Sequence, residues 1–546
     1  MHAIIKDGKI LLYDSYIFKE SIKEIPGRQW HPEEKAWSVP ISRQNIETLD
    51  LLGCELSDEL ADIRQSVVSK NTANENTLLP APLKVSPYEH QLKGYNLACL
   101  SMGIIGDNSV SPGFALLMEM GTGKTITSIA IVGKAYLTGE IKHLLILAPK
   151  SIVAVWEDEF LKFADFPYSL SVLTGTSAKK TDQLKTIPHK GLEVAVVNYD
   201  SVPLIEKELT AWHPDFLICD ESSKIKNPTA KMSKATYRIA KVCKYRLILT
   251  GTPIQNNPLD FFSQYKVLDD SIFGKSFYAF KNEYAVLGTY NQPIGWRKLP
   301  ELVKKAHSIA FRVTKAEALD LPDTIDEIRP IALEDKAQKL YKAFVKESYM
   351  ELSKGEVTAT NILTRLLRLQ QITGGFIRPD EESERYEQIS SAKLNALEDI
   401  IDTAISENKK LVVIARFIPE IKEICRMLDQ KKIKYGHICG EVKDRAAEVD
   451  AFQNNPECMV FVGQLQTVSM GLTLTAASTM VFYSLSYNFA DYSQAKARIH
   501  RIGQKNNCLY IHLVVKNTVD ETVLKALEQK ENIATKIVDD WRSILK

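Results

Sequence analysis

Lys124 and Thr125 close a glycine-rich stretch, Gly121-Thr122-Gly123, that lies between the apolar run FALLM (114–118) and the helix-like run ITSIAIVGKAY. Each of these residue types has a task in holding a polyphosphate. Glycines let backbone N–H groups approach phosphate oxygens, a lysine at this spacing reaches the β and γ phosphates, and the following hydroxyl can bind magnesium. The complete phosphate-loop pattern carries another glycine five residues before Gly123, where this chain has Met118. A strand before the turn and a helix after it nevertheless favour the phosphate reading. ATP with Mg2+ is the expected cofactor pair, held by Gly121, Thr122, Gly123, Lys124 and Thr125.

Two carboxylates, Asp220 and Glu221, follow the apolar run FLIC. At the carboxyl end of a buried parallel strand they would sit in the crevice where such sheets bind ligands. Asp220 is then expected to hold the magnesium together with Thr125, and Glu221 to orient and deprotonate an attacking water. The turn-forming segment LTGTPIQNN (249–257) is either an ordinary loop or a relay out of the phosphate site. Further on, QAKARIHRIGQ (494–504) spaces Gln494, Arg498 and Arg501 by four and three residues. On a helix this spacing puts all three on one face, so two guanidiniums can point at one phosphate as arginine fingers.

These residues need scaffolding, and the chain supplies two series of short apolar runs. The first comprises FALLM, HLLILAP (143–149), VAVVNY (194–199), FLICDE (216–221) and YRLILTGT (245–252). The second comprises LVVIARF (411–417), CMVFVG (458–463), TMVFYS (479–484) and LYIHLVV (509–515). Aliphatic runs alternating with helical stretches predict parallel sheets covered on both faces. Between the two series, residues 259–388 are charged and helix-like, which predicts two α/β lobes separated by a helical insertion.

Composition sets outer bounds. The chain has 546 residues, too many for one ordinary domain, with 45% hydrophobic and 25% charged residues, a globular profile. Lys and Arg number 69 against 68 Asp and Glu, so nucleic-acid contacts must come from local clusters. The eight cysteines form no CxxC pair, which predicts reduced, mostly buried thiols and no structural zinc. No secretory leader or bilayer-length apolar run is evident, so a cytoplasmic compartment and no membrane partner are expected, or a nuclear one in a eukaryote.

MEMGTGKT, APKSIVAVW, DESSKIKN, LTGTPIQNN, VVIARF, GLTLTAAS and QAKARIHRIGQ, in that order, resemble the motifs of the Swi/Snf-type ATPases of helicase superfamily two. The resemblance covers roughly residues 84–530, and HRIGQ after the paired arginines is its most specific part. It implies two RecA-like lobes and movement along duplex DNA; a bacterial or viral source and action as a monomer are expected alongside it. By resemblance, Gln91 reads adenine and Gly471 joins the nucleotide site. DNA contacts are implied for Lys150, Ser151, Arg416, Phe417, Gln466 and Thr467. Three positions depart from the family pattern: Ser223 replaces a histidine, Thr473 an asparagine and Ala497 an aspartate. None of the three is a phosphate or magnesium ligand, although Ser223 puts the usual coupling hydrogen bond in doubt.

The segment IPGRQWHPEEKAWSVP (25–40) is similar to the HARP domain of annealing helicases. Arg28 is the expected DNA contact there, while Trp30 and Trp37 serve as stacking surface or core. The expected division is a small α+β accessory domain over 1–64, a linker over 65–83, lobe 1 over 84–325 with the start of a helical protrusion, and lobe 2 over 326–546 with the protrusion at its start. The expected function is ATP-dependent translocation on double-stranded or branched DNA, for annealing, branch migration or fork remodelling. A motor that displaces a DNA-bound protein such as RNA polymerase or a nucleosome, and an RNA helicase, are the alternatives.

Overall fold

A computed structural model describes residues 1–6, 9–15, 18, 22, 28–40, 45, 49, 52, 54–57, 60, 79–106, 109–255, 257–353, 359–377, 386–442, 444–469 and 472–534. Contacts divide the chain into Met1–Pro80 and Ala81–Lys546. The expected 65–83 linker lies mostly outside the described residues.

In the first unit, β1 (His2–Lys6), β2 (Lys9–Tyr13), β3 (Gln29–His31), β4 (Ala36–Pro40) and β5 (Glu55–Leu56) form a sheet ordered β3-β4-β2-β1-β5. Its pairings are antiparallel except β1 with β5. Alternation buries Ala3, Ile10, Leu12 and Val39 with Ile22, Leu49 and Leu60. Trp37 packs against this core, whereas Trp30 is 43% exposed, its ring 5.3 Å from that of Trp37. The two tryptophans therefore divide between core and surface.

The second unit contains two parallel sheets. Lobe 1 holds β6 (Gly113–Met118), β7 (His143–Ala148), β8 (Tyr168–Val172), β9 (Leu192–Asn198), β10 (Phe216–Asp220) and β11 (Tyr245–Leu249). A hairpin of β12 (Ala285–Leu287) and β13 (Pro293–Trp296) follows, and then β14 (Ala310–Val313), which completes the order β14-β6-β11-β10-β7-β9-β8. In lobe 2, β15 (Thr324–Ile331) precedes a short hairpin of β16 (Phe376–Ile377) and β17 (Glu387–Gln388). Then come β18 (Leu411–Ala415), β19 (Lys434–Ile438), β20 (Cys458–Gln464), β21 (Thr479–Phe482) and β22 (Cys508–Val515), in the order β15-β22-β21-β18-β20-β19. All pairings within these two large sheets are parallel. Central strands such as β6, β10 and β18 are buried along their whole length, as expected of strands covered on both faces.

The stretch 259–388 is not the purely helical insertion expected. Its helices Asp260–Leu268, Phe277–Tyr284, Leu299–His307, Asp335–Ser353 and Ala359–Thr373 are joined by strands, two of which belong to the lobes themselves. β14 pairs with β6 and β15 with β22, so the lobes meet between Val313 and Thr324, and the border expected at 325/326 falls inside β15. The thiols follow expectation, with seven of the eight cysteines buried. Among the described residues no helix is long and apolar enough to cross a membrane.

Candidate active site

Strand order explains how the candidate residues converge. β11 lies between β6 and β10, so the loops after all three leave the same sheet edge side by side. The loop after β6 carries Gly121 and Gly123 at φ +85° and +94°, a left-handed backbone that favours glycine, and Gly123 opens the helix Lys124–Leu137. Gly251 lies against this loop. A Cβ there would stand 3.2 Å from Met118 O and 3.3 Å from Met120 N, so the loop after β11 needs a glycine to pass.

Lys124, Thr125, Asp220, Glu221, Gln494 and Arg498 line one cleft of about 670 Å3, together with Lys150, Ser151, Trp156, Ser223, Lys224, Ser469 and Asp491. Lys124 Nζ donates to Met118 O at 2.9 Å and Glu119 O at 3.2 Å, which leaves its third proton for another acceptor. Burial lowers the Lys124 pKa, against the pull of Glu221 and Asp220. Trp156 Nε1 donates to Asp220 Oδ2 at 3.1 Å and aims the buried carboxylate, while Tyr199 OH donates to the Asp220 backbone carbonyl at 2.9 Å and holds the strand end. Burial, followed by the charge of Glu221, pushes the Asp220 carboxyl up to about 6. A cation beside this crowded carboxylate would relieve that strain, and the Thr125 hydroxyl lines the same cleft. Hydroxyl and carboxylate oxygens are the donor set Mg2+ takes alongside substrate phosphates, so these residues fit the ion.

Glu221 has φ +51° and turns out of the strand into the cleft. Its Oε1 accepts from Ser223 Oγ at 2.9 Å and from Thr250 Oγ1 at 3.4 Å. Ser223, where the family has histidine, thus aims the carboxylate instead of bridging to the loop after β11. The bridge runs through its neighbour. Ser222 Oγ donates to Gln264 Oε1 at 2.7 Å, and Gln264 Nε2 donates to Pro253 O at 2.8 Å, inside LTGTPIQNN. Nothing in the sequence marks Gln264, because the two groups it bridges are 42 and 11 residues away.

Gln91 is buried against the phosphate loop. Its Nε2 donates to Thr122 O at 3.2 Å and its Oε1 accepts from Tyr88 N at 3.0 Å, so it braces the loop. His90 Nε2, unnoticed in the sequence, donates to the same carbonyl at 2.7 Å.

The arginines are not on one helical face. The helix ends at Lys496, with Ala497 as its cap, and Arg498 and Arg501 lie in the turns beyond. After Lys496 the backbone tightens, Arg498 N donating to Ala495 O, and helical spacing no longer holds. Both guanidiniums instead grip the GLTLT loop. Arg498 reaches Leu472 O and Ser469 O, while Arg501 reaches Leu472 O and, at 2.8 Å, Thr473 Oγ1. Thr473, the departure from asparagine, is therefore an Arg501 ligand. Gln504 holds the segment from behind by donating to Ala477 O and Ile499 O. Gly471 lies outside the described residues.

The finger segment nevertheless reaches lobe 1. A Cβ on Gly121 would stand 3.8 Å from Arg501 Cβ. Arg498 is 4% exposed, its Nε lacks a hydrogen-bond partner among the described residues, and burial brings its pKa down to about 10. This guanidinium thus stands on the wall of the cleft that also holds Lys124, with its charge poorly solvated and one N–H unsatisfied among the described residues.

The other expected contacts divide by exposure. Lys150 and Ser151 are exposed, on the lining of the cleft, and Gln466 and Arg28 are exposed as well. Thr467 is buried, so in this conformation it supports its loop. Arg416 is half-buried, donates to Gln370 Oε1 and lies 5.0 Å from the Phe417 ring centroid.

Two family descriptions match the chain: the SNF2-related domain over residues 85–374, more than half of it, and the helicase conserved C-terminal domain over 392–503. An uncharacterized ATP-dependent helicase of Mycoplasma pneumoniae is 27% identical over 434 residues, covering 78% of this chain and 40% of that protein. The DNA repair and recombination protein RDH54 of Saccharomyces cerevisiae is 24% identical over 548 residues, covering 87% and 58%. The chain thus spans about half the length of these curated relatives. The Sulfolobus solfataricus SWI2/SNF2 ATPase core in complex with dsDNA is 26% identical, with 86% of this chain and 97% of that one covered at a TM-score of 0.41. With phosphate loop, paired carboxylates and the arginine segment arranged around one cleft, the chain belongs to the SNF2-related family.

Proposed function

We propose that the chain hydrolyses ATP to move along double-stranded DNA and that its N-terminal unit directs it to branched DNA. The observation that carries this reading is the cleft to which lobe 1 contributes Lys124, Asp220 and Glu221 and lobe 2 contributes Gln494 and Arg498. Lys124 and the loop N–H groups hold phosphates, and Thr125 and Asp220 hold Mg2+, which screens phosphate charge when bound. Glu221, aimed by Ser223 and Thr250, takes the proton of the attacking water. Arg498 and Arg501 meet the charge that develops on the transferred phosphoryl group, so hydrolysis requires both lobes and reports their closure. DNA as the track is supported by the family and by the repair and recombination role in the name of the yeast relative. Lys150, Ser151, Arg416, Phe417 and Gln466 are the proposed backbone contacts, with the chain acting as a monomer.

The branched-DNA role rests on the HARP-like segment, with exposed Arg28 and Trp30 on the first unit. ATPase rates with single-stranded, duplex, forked and four-way DNA, and with RNA, test the whole reading. Duplex and branched DNA are expected to stimulate and RNA not to; equal stimulation by RNA overturns the choice of track. Removing residues 1–80 is expected to keep duplex stimulation within about threefold while lowering fork and junction remodelling by about tenfold or more, the scale of one lost contact set. Unchanged junction activity refutes the N-terminal assignment.

A pH dependence follows from Asp220. Its folded pKa of about 6 means that the metal-holding carboxylate is present above that pH and lost as pH falls through it. Turnover at limiting ATP is expected to fall on the acid side of about 6, and added Mg2+ is expected to move that limb to lower pH. An acid limb indifferent to Mg2+ contradicts the assignment.

A further inference from the structure

The segment joining the lobes begins where β14 ends. Thr314 caps the short turn Lys315–Ala318 in a reciprocal box, its Oγ1 accepting from Glu317 N while Glu317 Oε2 accepts from Thr314 N. The box fixes the shape of the turn, and Glu119 of the phosphate loop fixes it against lobe 1. The Glu119 carboxylate accepts from Lys315 N at 2.8 Å through Oε2 and pairs with Arg312 at 3.2 Å through Oε1. Arg312 is itself anchored on Leu117 O at 2.9 Å. From this anchored position Lys315 Nζ crosses to lobe 2 and donates to His500 O at 2.8 Å, one residue before Arg501. The His500 ring returns the contact, its Nε2 donating to Pro322 O at 2.9 Å further along the joining segment.

We infer that Lys315 is a positioning residue that ties the phosphate loop to the arginine fingers through Glu119 and His500. The inference rests on the hydrolytic reading of the cleft and adds to it a fixed path between the halves. Lys124 Nζ holds Glu119 O at 3.2 Å, so a phosphate that draws the ammonium to itself changes the hold on Glu119; Glu119 holds the Lys315 backbone, and the Lys315 side chain holds the peptide next to Arg501. The two halves of the site are thus registered by a side chain that need not touch ATP. The setting is demanding for a cation. Glu119, Lys124, Arg498, Arg501 and His500 face Lys315 from the phosphate loop and the finger segment, and Cys508 faces it from β22. Burial, reinforced by the cations, brings its pKa down to about 8 in spite of Glu119.

The test compares Lys315→Met and Lys315→Arg in the full chain. Lys315→Met is expected to lower kcat by about tenfold to a hundredfold, the cost of an ångström-scale misplacement, with KM for ATP held within about threefold. Lys315→Arg, which keeps a charged donor, is expected to restore most of the rate. It should also remove the fall of kcat/KM above about pH 8 expected of the parent chain, because arginine stays protonated there. Amide hydrogen exchange over residues 497–505 without nucleotide reads the same link independently of hydrolysis and is expected to be faster in Lys315→Met alone. Faster exchange there without any ATPase in the parent chain supports the link and refutes the hydrolytic reading. Unchanged exchange and kcat in Lys315→Met overturn the inference, as does equal loss of kcat and ATP binding in both variants.

Discussion

Replacing Glu221 by glutamine is expected to lower kcat by about a hundredfold to ten-thousandfold, the range for a lost general base, while ATP and DNA binding persist. The geometry makes this substitution a clean one. Ser223 and Thr250 both donate to Oε1, and a glutamine carbonyl can accept from both, though more weakly, so the side chain keeps its aim. Only the capacity to take a proton is removed. Single-turnover hydrolysis beside nucleotide-binding measurements checks the result. Retained turnover assigns the proton to another group, and lost binding gives Glu221 a structural role instead.

The second large effect concerns the other lobe. Arg501→Ala is expected to reduce kcat by about a thousandfold or more, the scale of a missing arginine finger, with a much smaller change in ATP affinity. Arg501 stands beside Gly121 and is held by Leu472 O and Thr473 Oγ1, so it is already oriented and needs only to exchange those acceptors for a phosphoryl oxygen. Exposure argues for testing Arg501 ahead of Arg498. Arg498 is nearly enclosed and also holds Ser469 O, so truncating it leaves a buried void, whereas Arg501 is only half-buried. Comparable losses in kcat and in nucleotide affinity for Arg501→Ala contradict the finger role.

Which parts of this arrangement were legible in the sequence follows from the range of the forces involved. β6, β7, β9, β10, β11, β18, β20, β21 and β22 were each read from an apolar run, because central strands of a covered sheet bury every side chain. β8, β15 and β19 are sheet edges with half-exposed or charged residues, such as TIDEIRPI in β15, and they leave no such run. β14 is a four-residue edge strand whose Arg312 donates to Leu117 O in β6 and to Gly251 O after β11, so its polarity concealed its place in the sheet. Lys124, Asp220 and Glu221 stand out in the sequence because each follows a recognisable strand, and the three line one cleft. The spacing of Arg498 and Arg501 suggests one helical face, but the helix stops at Lys496 and both guanidiniums turn to Leu472 O. Glu119, Lys315 and Gln264 were missed altogether. Their partners lie far along the chain, and only the strand order β14-β6-β11-β10 brings them together.

The departures from the family pattern also acquire physical accounts. Ser223 gives up the histidine bridge but holds Glu221 directly, and Ser222 with Gln264 supplies another route to Pro253. Thr473 supplies a hydroxyl to Arg501. Ala497 caps a helix in a buried position, where an aspartate would need a partner.

The central claim is that one nucleotide is gripped from both lobes at once. Crystals of the full chain grown with Mg2+, ADP and aluminium fluoride examine it most directly. The fluoride is expected within hydrogen-bond reach of Arg498 or Arg501 on one side and Lys124 on the other, with the metal between Thr125 and Asp220. A nucleotide bound with both arginines still turned to Leu472 and Ser469, and no lobe 2 atom near its phosphates, would contradict it.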